Sequence, residues 1–379
     1  MSTYRYCATN VVTGALLADT IPLHVSGFGR NLGSVGQPGE LRGKLDLGAL
    51  SKQSNLLAAL EPRRTLLWVL QDEWPVWAGI VWDWDHQSAR SNSLPIVANE
   101  IGSLFQRRQI LATQSWTTDP YTAIRNLIAY ATGKTGGAVA QLVHTTNLFG
   151  GASITATFPV STGGKILDAV TQFCTQYGIE YAWDPGLAAP DVMTITLRLG
   201  TAATMGRAYA DTKLQLNFPG NLLDYAWPRL GSTGRNSISA VASNSGAVPW
   251  VSGAAHGLDS ADLAASYPLL EDAVSYTGSN ITSQAQIDAV ADARQQMVAK
   301  SPTVGKVTLA GGQTPTVQQI LLGDHAYLQA TSSYHPADSA TGAPGLQRDV
   351  RVIGWRVTPP DAEAGQVEST DLYLAGVST

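Results

Sequence analysis

Charge is what this chain lacks most. Only 14% of its 379 residues are Asp, Glu, Lys or Arg, against roughly a quarter in an ordinary globular protein. The net charge is −5 and the Lys and Arg residues are scattered, so no basic face offers itself to phosphates and stable sequence-specific nucleic-acid binding is excluded. Cysteine is nearly absent. Cys7 and Cys174 are the two present, too far apart and too few for a disulfide framework or a zinc site, and they read as small buried hydrophobes. No apolar run approaches the ~18 residues of a membrane span, and the polar Met1–Asn10 lacks the apolar core of a secretory signal. Synthesis and folding in a cytoplasm are therefore expected. Against these absences stand ten tryptophans. Aromatic residues are enriched and charges depleted where interfaces are buried, so the expectation is a component of an assembly. The alternative is a β-rich monomer surfaced with Ser, Thr, Gly and Asn.

The length leaves room for two to four domains. The first hundred residues read as antiparallel β structure, with strands over Tyr4–Val12, Ala15–Val25 and Glu40–Leu47 and a Gly-rich connection from Ser26 to Gly39. After a short helix at Asn55–Leu60 come strands at Thr65–Leu70 and Val76–Asp85. In the second, Ile80, Trp82 and Trp84 alternate with Val81, Asp83 and Asp85, which predicts one apolar and one wet face. Val97, Ile101, Leu104 and Phe105 fall at helical spacing and predict a closing helix that ends near Arg107 and Arg108.

A mixed unit follows. Asp119 as N-cap and Pro120 at the first helical position open a helix with a stripe of Ile124, Leu127, Ile128 and Ala131, stopped at Gly133. A second helix is predicted over Lys165–Tyr177, with Gly178 as C-cap. Ile179, Tyr181 and Trp183 then alternate up to a break at Asp184-Pro185-Gly186, and Met193 to Leu199 form the returning strand. From Arg207 to Trp227 the pattern is β again, Gly231–Ala265 reads as loops and insertion, and Ser283 with Gln286 forms a capping box for a helix stopped by Pro302. Strands at Val304–Leu309, Ala326–Thr331, Val350–Val357 and Asp371–Leu374 complete the chain, with a long tip loop over Ser332–Gln347.

Catalytic patterns fail on inspection. Gly133-Lys134-Thr135 lacks the glycine of a phosphate loop, since Ile128 stands there, and it ends a helix rather than starting one. Gly27-Phe28-Gly29 lacks the third glycine of a dinucleotide fingerprint and reads as a flexible loop. Asp83 and Asp85 lie about 7 Å apart along one strand face, beside Trp82 and Trp84 that could form a sugar platform, but both carboxylates belong to one surface rather than flanking a cleft. His86 has no ligand partner at metal spacing, and His325 and His335 fall in turns. No catalytic, cofactor or metal site is expected.

The order of several segments carries more. Tyr4-Arg5-Tyr6 leading to Thr13-Gly14-Ala15-Leu16-Leu17, Phe28 to Leu41, Trp77-Ala78-Gly79-Ile80-Val81 and Phe105-Gln106-Arg107-Arg108 resemble minor tail proteins of long-tailed actinobacterial phages. So do Phe218-Pro219-Gly220-Asn221, Tyr267-Pro268-Leu269-Leu270-Glu271, Gly323-Asp324-His325 and Arg348-Asp349-Val350-Arg351-Val352-Ile353-Gly354. That family is related to baseplate hub proteins. The resemblance implies an α+β, predominantly β fold with two antiparallel β-barrel hub domains. The first covers residues 1–110, and the second is split into 206–235 and 303–379. An α+β domain at 111–205 lies between them, and a loop-rich and helical insert occupies 236–302.

The same resemblance implies a homotrimeric ring at the virion tail tip, joining the distal tail or tail tube protein to a central tip or fibre protein. It would surround the channel for the tape measure protein and DNA. A ring of copies needs two different patches on each subunit, which agrees with the sparse charge. Trp74, Trp77, Trp84, Arg107, Arg108, Tyr334 and His335 are the candidate contacts, because aromatic residues and Arg dominate interface energetics. The competing expectation is a receptor- or glycan-binding, even wall-cleaving, tail protein that uses Trp82, Trp84, Asp83 and Asp85.

Overall fold

A computed structural model describes the chain apart from residues 1, 34–35, 47, 49–54, 85–91, 145–152, 161–163, 229–234, 244–248, 267, 278–280, 282, 299–304, 362–364 and 377–379. Asp85 and His86 therefore lie outside the described residues. The N-terminal part carries β1 (Tyr4–Asn10), β2 (Leu16–Ala18), β3 (Leu23–Asn31), β4 (Glu40–Asp46), α1 (Leu56–Ala59), β5 (Thr65–Gln71), β6 (Trp74–Trp84), β7 (Ser93–Glu100) and α2 (Gly102–Phe105). The middle part carries β8 (Gln114–Thr118), α3 (Pro120–Thr132), β9 (Leu142–His144), β10 (Ile154–Phe158), α4 (Ile166–Tyr177), β11 (Ile179–Ala189) and β12 (Val192–Thr201). Next come α5 (Tyr209–Thr212), β13 (Leu214–Phe218) and β14 (Leu222–Ala226), then β15 (Ser237–Ser243), β16 (Trp250–Val251), α6 (Ser260–Ala264), β17 (Glu271–Thr277) and α7 (Gln284–Val298). The chain closes with β18 (Gly305–Ala310), β19 (His325–Ala330), β20 (Leu346–Thr358) and β21 (Ser369–Gly376).

A single 13-stranded sheet runs through both ends of the chain in the order β14-β18-β21-β20-β3-β4-β7-β6-β5-β1-β2, with β13 and β19 branching from β20. Among the described residues its ladder does not close on itself. The join is β3 with β20, where Phe28, Gly29, Arg30 and Asn31 pair with Val357, Arg356, Trp355 and Gly354. Here the expected loop at 26–31 is a strand. A Cβ at Gly29 would lie 2.6 Å from the Trp355 carbonyl oxygen, so the glycine serves close backbone approach, a use that composition alone does not separate from a loop. The predicted strand Ala15–Val25 likewise divides into β2 and the start of β3.

The wet face expected on β6 is dry at Val81 and exposed at Asp83. Val69, Trp77 and Val81 face a core that continues through Phe28 and Leu41 to Leu328, Val352, Trp355 and Leu374. On the other side Leu66, Trp68, Ile80 and Trp82 pack with Ile124, Leu127, Val170 and Phe173 of α3 and α4 and with Leu197 of β12. A central strand pair covered on both sides reads as an unbroken apolar run rather than an alternation, which is the pattern of β5. In β6 a bulge between Val81 and Asp83 then reverses the faces. Trp84 consequently packs on the first core, not beside Trp82. Val97, assigned to a helix, lies in β7 and pairs with Arg42. Strand β11 runs straight through Asp184-Pro185-Gly186, because it is an edge of the sheet β11-β12-β9 and Pro185 has no ladder donor to lose there.

The insert is more regular than its composition suggests. Strand β15 lies between β16 and a parallel β17, and Ala240 and Ala242 pack with Ile287, Val290 and Ala291 of α7 in a small core of their own. Its loop at 253–257 is held by α7. Gly253 N donates to Asp288 and Gly257 N to Asp292, each at 2.7 Å, and His256 Nδ1 lies 2.9 Å from Asp292 Oδ2.

The predicted caps are present. Asp119 Oδ1 accepts from Thr122 N at 3.0 Å, and Gly178 ends α4 in the left-handed region. Burial alone would raise the Asp119 carboxyl, but the hydrogen bonds from Thr122 and neighbouring backbone hold it below its usual value. Asp119→Ala is expected to cost about 1 kcal/mol in urea unfolding at pH 7. Because the native carboxyl titrates lower than the unfolded one, that difference is full above the unfolded pKa and shrinks as pH falls through the native value. A gap that stays constant down to pH 3 rules this out. In the insert, hydrogen bonding to Asp292 raises the His256 imidazole above its ordinary value. NMR titration should find its midpoint above 6.5. Amide protection of the 253–257 loop, corrected for intrinsic exchange, should be highest below pH 6.5 and fall only in part as pH rises through that midpoint, because the bonds from Gly253 N and Gly257 N remain.

Candidate assembly surfaces and the charged junction

The seven candidate contact residues separate by position. Trp74 sits at the tip of the β5–β6 turn and is 45% exposed, and Tyr334 in the tip loop is 73% exposed. Trp77 is fully buried, its indole Nε1 donating to Gly29 O at 2.9 Å, so it belongs to the interior and not to any surface. Trp84 is half-buried and donates to Leu60 O at 2.8 Å. Arg107 is exposed and lies over the Trp82 ring at 4.0 Å, while Arg108 donates to Ala131 O at 3.1 Å. His335 Nδ1 lies 2.9 Å from Tyr225 Oη. Together with Phe218, Trp227 and Tyr334 these rings line an open cleft of about 550 Å³.

The sugar platform does not form. Trp82 is buried with its indole N–H on Ser103 Oγ at 2.8 Å and its face covered by Arg107, and Trp84 is turned to the other side of the strand. Burial pushes the Cys7 thiol up to about 12 and raises Cys174 as well, so neither is a thiolate at neutral pH. Among the described residues no cluster of three or more His, Cys, Asp or Glu could hold a metal ion.

What the sequence did not announce is a buried charge junction. Arg30 of β3 is paired with Glu100 at 3.2 Å and with Asp184 of β11 at 2.7 Å. Its side chain is 5% exposed and that of Glu100 3%. Asp184 also receives Arg198 of β12 at 2.5 Å. Arg198 goes on to the carbonyls of Met205 and, at 2.9 Å, Leu322. Glu100 accepts from Gly39 N at 2.6 Å, and Arg30 donates to Trp183 O at 2.7 Å. Burial raises the Glu100 carboxyl despite Arg30. It would raise Asp184 too, but two guanidinium groups outweigh it and hold that carboxyl down.

Two further pairs repeat the theme. Arg351 of β20 bonds Glu180 of β11, and the fully buried Asp324 accepts from Arg207 N at 2.9 Å and from Leu321 N at 2.9 Å. Asp184 and Arg198 lie on one hairpin, where they face Thr196 and Ala182 respectively, but the sequence pattern places Asp184 in a break and relates it to no partner. Arg30 was hidden inside the supposed loop.

No protein-family model matches the chain, and no curated protein matches it. Its fold does match solved structures over nearly its whole length. A tail protein from Neisseria meningitidis MC58 aligns with 98% of this chain and 96% of that one at TM-score 0.57 and 14% identity. The 43 kDa tail protein of prophage MuSo2 from Shewanella oneidensis aligns over 99% and 97% at 0.59 and 12%. Prophage tail protein gp18 from Listeria monocytogenes EGD-e aligns over 97% and 94% at 0.53 and 10%. The chain thus has the fold of these tail proteins. No helix of the described residues is long and apolar enough to cross a membrane.

Arg30→Met leaves the buried Glu100 with no cationic partner and Asp184 with Arg198 alone, and should cost roughly 3–5 kcal/mol in denaturant unfolding. Arg42→Gln, which breaks an exposed pair with Glu40, should leave the unfolding midpoint unchanged. Equal effects of the two would contradict a structural role for the junction.

Proposed function

We propose that this chain is a non-catalytic structural subunit of a bacteriophage tail tip, a baseplate hub protein that works as a ring of three copies. The observation that carries the reading is the end-to-end likeness in fold to three tail proteins. It covers nearly the whole chain rather than one module. The strands β1–β7 are taken as one hub barrel and β13–β14 with β18–β21 as the other, standing side by side across the β3·β20 join. A threefold ring of two similar barrels presents six similar units, which lets a threefold tip meet a sixfold tube.

On this reading the ring connects the distal tail or tail tube protein of a long-tailed phage to a central tip or fibre protein. It encloses the channel for tape measure protein and DNA, and it is assembled in the host cytoplasm. The acidic net charge supports such a channel, since phosphates would not adhere to it. Sparse surface charge and exposed Trp74 and Tyr334 support extensive mating surfaces.

Native mass measurement of tail-tip complexes containing the 40.0 kDa chain should give three copies, and averaged particles should show threefold symmetry at this protein. A single copy per tail, or six, would sink the ring.

A further inference from the structure

Two basic segments that lie apart in the sequence meet in one place. Arg107-Arg108, after α2, and Lys134, after α3, line a cleft of about 280 Å³ with Leu111 at its rim. Several arginines elsewhere, Arg5, Arg30, Arg42, Arg198, Arg207 and Arg351, each bond a carboxylate. Among the described residues none of the three cleft cations does. Arg107 lies over the Trp82 ring at 4.0 Å, Arg108 sits 5.5 Å over Phe105 and donates to Ala131 O, and Lys134 donates to Gln109 O and lies 4.6 Å over Tyr130.

These contacts orient the cations without neutralising them. A guanidinium carries five donors in a rigid fork, so placing Arg107 over a ring and tethering Arg108 at Ala131 O leaves donors for an outside acceptor. The geometry suits carboxylates, which Arg takes two donors at a time. Leu111, 68% exposed beside them, offers an apolar contact at the same site. In a chain of net charge −5, three positive groups with no counter-charge among the described residues form a surface complementary to negative protein.

We propose that this cleft docks an acidic segment of a different protein, one with two or more carboxylates next to an apolar side chain. Nucleic acid is the poorer match. Three phosphate contacts release only about three counterions, a weak bond at physiological salt, and the rings of Trp82 and Tyr130 that could stack on bases are covered by the cations themselves. The assignment stands on these side chains and does not depend on the tail-tip reading.

The test uses the full chain and a labelled peptide of four glutamates around one leucine, followed by fluorescence anisotropy. Binding is expected at 50 mM NaCl and should weaken about fivefold at 300 mM, as exposed pairs are screened. Arg107→Gln and Lys134→Gln, both at solvent-accessible positions, should each reduce affinity about threefold with an unchanged melting temperature. Lys44→Gln, on an exposed strand position away from the cleft, should have no effect.

No binding at low salt, or variants that bind like the parent, would overturn the proposal. So would tighter binding of a 20-base-pair DNA duplex or of inorganic phosphate that competes with the peptide. Self-association of the chain that disappears in the double variant would make a second copy the occupant and overturn it too.

Discussion

The guanidinium of Arg30 is the point on which the rest of the structure turns. It is enclosed on every side and has to face Glu100, Asp184 and the Trp183 carbonyl together. Those partners come from the end of β7 and from β11, and Asp184 passes the contact on to Arg198 and so to Leu322 ahead of β19. Two positive and two negative groups cancel within the junction. Buried charges of this kind add little net stability over an apolar core, but they penalise any arrangement in which one partner is displaced. Here such an arrangement would be a different mutual orientation of the N-terminal strands, the middle α+β part and the C-terminal strands.

That constraint also explains the character of the surface. Several of the few charges in this sequence are held inside: Arg30, Glu100, Asp184, Glu180, Arg351 and Asp324 are all buried or nearly so. The exterior is therefore poorer in charge than the composition states. A protein with so little surface repulsion is suited to contact with neighbours, and the exposed Trp74, Leu111, Tyr334 and Val367 lie on an exterior already thin in charge.

Local chemistry was legible in the sequence and long-range chemistry was not. Asp119, Pro120, Gly133 and Gly178 mark the ends of α3 and α4 because capping is decided within one helical turn. The alternation of Ile195, Leu197 and Leu199 is equally local, since one face of β12 is buried. The readings that failed depend on partners far along the chain. Val81 looked outward-facing only while the other half of the core, 250 residues on, was unseen. Gly27-Phe28-Gly29 looked loose only without the backbone of β20 beside it. The cationic cleft joins residues 107–111 to 134–137, which follow α2 and α3 and meet where Arg108 donates to Ala131 O, and the junction joins β3 and the end of β7 to the distant β11–β12 hairpin.

The pairing of β3 with β20 also imposes an order in time. Residues 28–31 must wait for residues 354–357, and at ribosomal rates of about 5–20 residues per second the delay is roughly 16–65 seconds. Through that interval β3 is an uncovered strand edge, the kind of surface that recruits strange strands. Only a polypeptide extended through β20 can cover it, so a chain that stops short of residue 354 leaves this edge open.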